Sequence, residues 1–232
     1  MQSTASKLLF VFGTRPEAIK LAPLVKEFKT RQGAEVKVCV TAQHRQMLDQ
    51  VLDFFDIVPD YDLNIMQPNQ TLFDVTANGL KALEAVLNDF EPEIVFVQGD
   101  TTTSFIGALA AYYKKSKVAH IEAGLRSGNK YSPFPEEINR ILAGHLADYH
   151  FPPTQQSVEN LKRENIHDHV YNVGNTVIDA LFLGLNLVKK KGENQYAKLF
   201  EGIKLERRIV LITGHRRESF GEPFENICHA IR

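Results

Sequence analysis

Apolar and polar positions alternate between two periods along this chain. Leu8-Leu9-Phe10-Val11-Phe12 is an unbroken apolar run that stops at Gly13, the pattern of a parallel strand buried on both faces. Helical spacing follows: Ala18, Leu21, Ala22 and Val25 share one face, Thr14 stands where a cap belongs, Pro16 suits a first turn, and Glu17 lies three residues after Thr14 as in a capping box. Val36, Val38 and Val40 alternate as a second strand, and Met47, Leu48, Val51, Leu52 and Phe55 mark a helix over 44–55. Residues 59–70 read as an irregular connection. A long helix over 72–90 ends at Glu91-Pro92.

The second half of the pattern is denser. Ile94–Val97 and Val118–Ile121 are short apolar strands. Between them a helix over 102–115 carries Gly107, Ala108, Ala110 and Ala111, small enough to bring it close to a sheet. A helix from Pro135 places Ile138, Ile141, Leu142 and Leu146 on one face. Tyr149–Phe151 and Val170–Val173 read as the last strands, with a helix over 154–164 between them. Regular alternation of strand and helix predicts an α/β fold with a mostly parallel, doubly wound sheet over residues 1–173. After Val173 come a helix over 177–188, a polar linker-like stretch over 189–195, an apolar run Arg208–Thr213 and a helix from Pro223. One strand and one helix bury no core, so 174–232 reads as a linker and the start of a second α/β domain, of which about 100–150 residues would remain.

Composition narrows the function classes. The 232 residues carry a net charge of −1 and no apolar run near membrane-spanning length, so no global field favours nucleic acid or lipid. No secretory signal pattern opens the chain. Two cysteines, Cys39 and Cys228, without a C-x-x-C pair fit a reducing, cytoplasmic setting, with Cys39 as a small buried hydrophobe. No His/Cys spacing suggests a metal. His167 and His169 read as surface.

Chemistry concentrates at the strand ends. Gly13-Thr14-Arg15-Pro16-Glu17 is not the G-x-G-x-x-G fingerprint, yet a helix N-terminus with Arg15, and Lys20 a turn later, suits phosphate. Glu17 reads as a cap. Asp100 follows Gly99 at a strand end, where capping of the next helix and catalysis are both open. Glu122 directly follows a buried strand with no local capping duty, which favours acid/base work in a partly desolvated place. Glu136 and Glu137 stand in a first helical turn, where acids complement the dipole, and Glu136 has an i,i+4 partner in Arg140. His215, between Gly214 and Arg216-Arg217, could bind phosphate or move a proton. In a parallel sheet these strand ends share one edge.

Seven segments in register carry a family resemblance: Gly13–Lys20, Thr41–Arg45, Gly99–Thr103, His120–Arg126, Pro135–Arg140, Gly174–Asp179 and Gly214–Glu218. Together they resemble the non-hydrolysing UDP-N-acetylglucosamine 2-epimerases. The resemblance implies a GT-B-like pair of Rossmann-like domains, the first complete and the second only begun. It also implies a homodimer and a route from UDP-GlcNAc to UDP-ManNAc without a nicotinamide or other cofactor, feeding cell-surface polysaccharide synthesis. By motif match, Asp100, Glu122 and Glu136 would share the acid, base and charge-stabilising roles, with Lys20 beside them. Arg15 and His215 would hold the diphosphate. Gln43 and Gln70 would contact a second, activating UDP-GlcNAc. The family's later Ser-Gly-Gly segment does not occur in these residues, so the chain alone is expected to be inactive or nearly so. Alternatives are a hydrolysing epimerase releasing ManNAc and UDP, a GT-B glycosyltransferase, and a non-catalytic nucleotide-sugar-binding or dimerising domain.

Overall fold

The computed structural model describes residues 5–42, 45–67, 70–192, 200–204, 206–212 and 221–231. In chain order the elements are β1 (Ser6–Phe12), α1 (Arg15–Thr30), β2 (Ala34–Val40), α2 (Arg45–Phe54), β3 (Tyr61–Asp62), α3 (Leu72–Phe90), β4 (Ile94–Gln98), α4 (Thr102–Tyr113), β5 (Lys117–Ile121), α5 (Glu136–Leu146), β6 (Tyr149–Phe151), α6 (Gln155–Arg163), α7 (Val177–Lys191) and α8 (Glu222–Ile231). The chain divides into two compact units, Met1–Lys190 and Lys191–Arg232.

All six strands of the first unit are parallel, in the order β3-β2-β1-β4-β5-β6. The expected doubly wound α/β sheet is therefore present. Chain direction across the sheet reverses between β1 and β4, and in open α/β sheets the carboxyl ends of the strands at such a junction are where a ligand crevice lies. The unbroken apolar text of β1 has a direct cause. Leu8, Phe10 and Phe12 enter one core, with Leu21 and Val25 of α1 and Leu48 and Leu52 of α2. Leu9 and Val11 enter the other, with Leu83 and Leu87 of α3 and Ile106 of α4. Each such side chain contributes about 1.5–3 kcal/mol by leaving water. Phe10 stacks on Phe96 of neighbouring β4, ring centroids 4.5 Å apart. The small residues of α4 do bring it close: a Cβ on Gly107 would lie 2.9 Å from Val97 Cγ1. Cys39 is buried, and burial pushes its thiol up.

Three readings of the pattern need correction. Residues 59–70 contain β3, a two-residue strand that extends β2's edge through Cys39 and Val40. Val170–Val173 is not a strand: Val170 alone bridges His150, and Pro152, which accepts from the Val173 N–H, has no N–H with which to continue the ladder. Arg208–Ile212 is unpaired and exposed, since among the described residues no neighbouring strand lies beside it; Thr213 lies outside them. Helix α7 belongs to the first unit, where Ala180, Leu183 and Leu187 pack on the first core. In the second unit α8 is the one regular element among the described residues. No helix among them is long and apolar enough to cross a membrane.

Candidate active site

Loops after β1, β4 and β5, together with the first turns of α5, form the edge of the crevice. Each loop is shaped by a glycine or by a left-handed residue. Gly13 allows a close approach: a Cβ there would fall 2.1 Å from Thr41 Oγ1 and 2.7 Å from Thr103 Oγ1. Gly99 has φ +71°, and Glu122 itself has φ 62°. A left-handed backbone at a non-glycine residue is uncommon and costs of order 1 kcal/mol or more. At Glu122 it turns the chain immediately after β5.

Four charges converge there. Glu122, 7% exposed, forms an ion pair through Oε2 with Lys20 Nζ, while its Oε1 lies 4.0 Å from Arg140 Nη1. Arg140 Nη2 donates to Asp100 Oδ2. Asn175 Nδ2 adds a longer contact to Glu122 Oε2, at 3.4 Å. A buried carboxylate thus stands between two cations, and one of those cations reaches back to a second carboxylate. Such an alternating array of carboxylates and cations can stabilise charge of either sign nearby.

Several roles read from local sequence change here. Asp100 does not cap α4; Thr101 does, its hydroxyl accepting from the Ser104 N–H at 3.1 Å. Arg140 bonds Asp100 rather than its i,i+4 neighbour Glu136, because α5 presents it, 8% exposed, to the sheet edge. Glu136 is half-buried at the start of α5, and its side chain makes no hydrogen bond or ion pair among the described residues. Its neighbour Glu137 is the buried one, accepting from the N–H groups of Ser127 (3.1 and 3.0 Å) and Gly128 (2.9 Å), so it pins the loop between β5 and α5. Arg126 in that loop makes two bonds to Glu164, both 2.7 Å. Arg15 is exposed beside the crevice. Gln70 is spent within its own loop, donating to Ile65 O (2.9 Å) and accepting from Gln67 N (2.7 Å). Gln43 and His215 lie outside the described residues.

Sequence reading did not single out His120, Arg140 or Asn175 as site residues. His120 of β5 is fully buried, with Nε2 2.7 Å from the Gly99 carbonyl. A carbonyl only accepts, so Nε2 carries the hydrogen, and Nδ1 has no partner. Burial chiefly, then the charge of Arg140, hold its pKa down at about 3. His150, beside it on β6, is lowered by burial to about 4. The signal for His120 was a histidine at an apolar position inside a buried strand. Among the described residues no group of His, Cys, Asp or Glu is arranged to hold a metal ion.

Known proteins resemble this chain in sequence and fold. The profile of a family described as UDP-N-acetylglucosamine 2-epimerase matches residues 26–232. A UDP-N-acetylglucosamine 2-epimerase of Escherichia coli K12 is 55% identical over 228 residues, 97% of this chain and 61% of the relative. The chain thus spans about three-fifths of the length of the curated relatives it matches. A crystal structure of UDP-GlcNAc 2-epimerase from Neisseria meningitidis bound to UDP-GlcNAc is 52% identical, with a TM-score of 0.90 over 97% of this chain and 61% of that one. The Methanocaldococcus jannaschii UDP-GlcNAc 2-epimerase, in complex with UDP-GlcNAc and UDP, is 38% identical with a TM-score of 0.77, covering 84% of this chain and 53% of that one. With the matched profile spanning most of its length, this chain belongs to the UDP-N-acetylglucosamine 2-epimerase family.

Proposed function

We propose that this chain carries the carboxylate edge of an enzyme that inverts C2 of UDP-GlcNAc to give UDP-ManNAc. The observation that carries the reading is the Lys20–Glu122–Arg140–Asp100 array at the β1/β4 switch point. C2–H of a closed pyranose is not next to a carbonyl, so direct deprotonation is very unfavourable. Loss of UDP from C1 with removal of the C2 proton yields a glycal and UDP. Protonation of C2 from the other face and return of UDP complete the inversion. The route needs an acid, a base and negative charge near an oxocarbenium-like C1. Asp100, Glu122 and Glu136 share those duties, and Lys20 and Arg140 hold the first two in place. Arg15 binds diphosphate from the first loop, and the motif around His215, which lies outside the described residues, assigns that residue the same ligand. No cofactor enters the route. Gln43 and Gln70 face a second UDP-GlcNAc in this reading; the internal bonds of Gln70 would first have to open. The active protein is a cytoplasmic homodimer supplying a polysaccharide precursor.

The test is incubation with UDP-GlcNAc in deuterated buffer, following C2 by NMR, in a protein extended to the length of its relatives. UDP-ManNAc deuterated at C2 is the expected product. Free ManNAc would assign the hydrolysing reaction instead, and no turnover would sink the enzymatic reading. The 232 residues alone are expected to turn over little or no substrate.

A further inference from the structure

Glu17 opens α1 beneath the β1/β4 switch point and is 1% exposed. Its Oε2 accepts the N–H groups of Gly13 (3.0 Å) and Thr14 (2.7 Å). Those bonds are what a helix cap requires. Its other oxygen does something a cap does not need. Oε1 accepts the Thr101 hydroxyl at 2.6 Å and lies 3.0 Å from Ser104 Oγ. Thr101 directly follows Asp100 and caps α4. One carboxyl group therefore joins the loop that leads to Arg15 and Lys20 to the loop that holds Asp100.

The hydrogens around it favour one state. Ser104 has one hydroxyl hydrogen for three neighbouring oxygens, the Gln98 carbonyl, Glu17 Oε1 and Thr101 Oγ1, and the Gln98 carbonyl, which can only accept, is the nearest of them. The Thr101 hydroxyl gives its hydrogen to Glu17 and accepts the Ser104 N–H. The Ser104–Glu17 contact then joins two oxygens with no hydrogen between them, unless Glu17 supplies one. Every group bonded to Glu17 is a hydroxyl or a backbone N–H, and none is a cation. The charges on the surrounding loops are engaged elsewhere or exposed: Lys20 with Glu122, Asp100 with Arg140, Arg15 toward solvent. Burial raises the Glu17 pKa, against the lowering effect of Thr101, Gly13 and Thr14.

We infer that Glu17 is held as the neutral acid, donating from Oε1 to Ser104 Oγ, and that this bond makes it a positioning residue which latches the first loop to the Asp100 loop. Its catalytic consequence rests on the proposed epimerase reading; its protonation does not. Glu17→Gln preserves the length and supplies an N–H for Ser104 and a carbonyl for Gly13 and Thr14, losing only the Thr101 acceptor. Glu17→Asp is one methylene too short to reach both loops.

Two measurements test this separately. In the 232-residue chain with 13C-labelled glutamate, the Glu17 carboxyl resonance, assigned by its loss in Glu17→Gln, is expected to stay at its protonated position from about pH 5 to pH 7. A titration midpoint near the ordinary 4.5 would overturn the neutral acid whatever the enzyme does. In a protein of the relatives' length, Glu17→Asp should lower kcat about tenfold or more, since small displacements of catalytic groups cost rate, while Glu17→Gln stays within about threefold of the parent. Equal losses in both variants, or a loss of thermal stability with kcat unchanged, would overturn the latch. If that protein turns over no substrate at all, the functional reading has failed and the resonance still decides the proton.

Discussion

Replacing His120 by Gln isolates one buried proton. The glutamine amide reaches the Gly99 carbonyl as Nε2 does, so the bond between β5 and the β4 loop is kept and the titration is removed. In the folded chain His120 stays neutral down to about pH 3, against an ordinary value of 6.5 once unfolded. The folded state therefore binds fewer protons than the unfolded one below pH 6.5, and stability is lost as pH falls. Near pH 5 an unfolded histidine is protonated at a gain of about 2 kcal/mol that the folded state forgoes. Urea denaturation of the 232-residue chain at about pH 7.5 and pH 5 should therefore show the parent losing about 2 kcal/mol more than His120→Gln. His150 acts in the same direction and Glu17, with its raised pKa, in the opposite one. Both are present in both proteins and cancel in the difference. Equal losses on acidification would refute the buried neutral imidazole.

Other substitutions probe the frame and the chemistry. Gly124→Ala places a Cβ 2.3 Å from the Ser157 carbonyl oxygen at φ +81°, and should cost about 3 kcal/mol or more in urea unfolding; a loss under about 1 kcal/mol would contradict that packing. A double-mutant cycle of Arg126→Met and Glu164→Gln should give a coupling of about 1–2 kcal/mol, which Arg126→Lys does not restore because a lysine cannot reproduce the paired bonds. In a protein of the relatives' length, Glu122→Gln should lower kcat about 10²-fold or more while Tm barely moves. A large fall in Tm with kcat retained would make Glu122 structural.

What the sequence made legible was whatever depends on local spacing. The core faces of α1 and α2, the small residues of α4 and the two-faced burial of β1 follow from period and composition, and so does the gathering of Lys20, Asp100 and Glu122 on one edge once the sheet is parallel. What it hid depends on partners distant in the chain. β3 is two residues long and has no alternation to find; it exists because Cys39 and Val40 offer it an edge. The apolar run at 208–212 has strand composition without a described neighbour to pair with. Arg140 looked like half of a helix-surface pair with Glu136, because i,i+4 spacing says nothing about how α5 is rotated toward the sheet. Glu17 satisfied a capping motif, and its second set of bonds comes from residues 84 positions and more away.

That long reach has a consequence for the order in which the molecule is made. During synthesis β1 emerges long before β4, which pairs along its second edge. Until then β1 presents an apolar, unpaired strand edge, the kind of surface that seeds association between nascent chains. The contacts that define the site are all of this late kind: Glu17 to Thr101, Asp100 to Arg140, Glu122 to Asn175. None can form within a single hairpin or helical turn. Parallel sheets with such separations fold slowly. The charged array therefore has no precursor in the unfinished chain, and it arises only when the β1/β4 junction closes and β5 and α5 dock beside it.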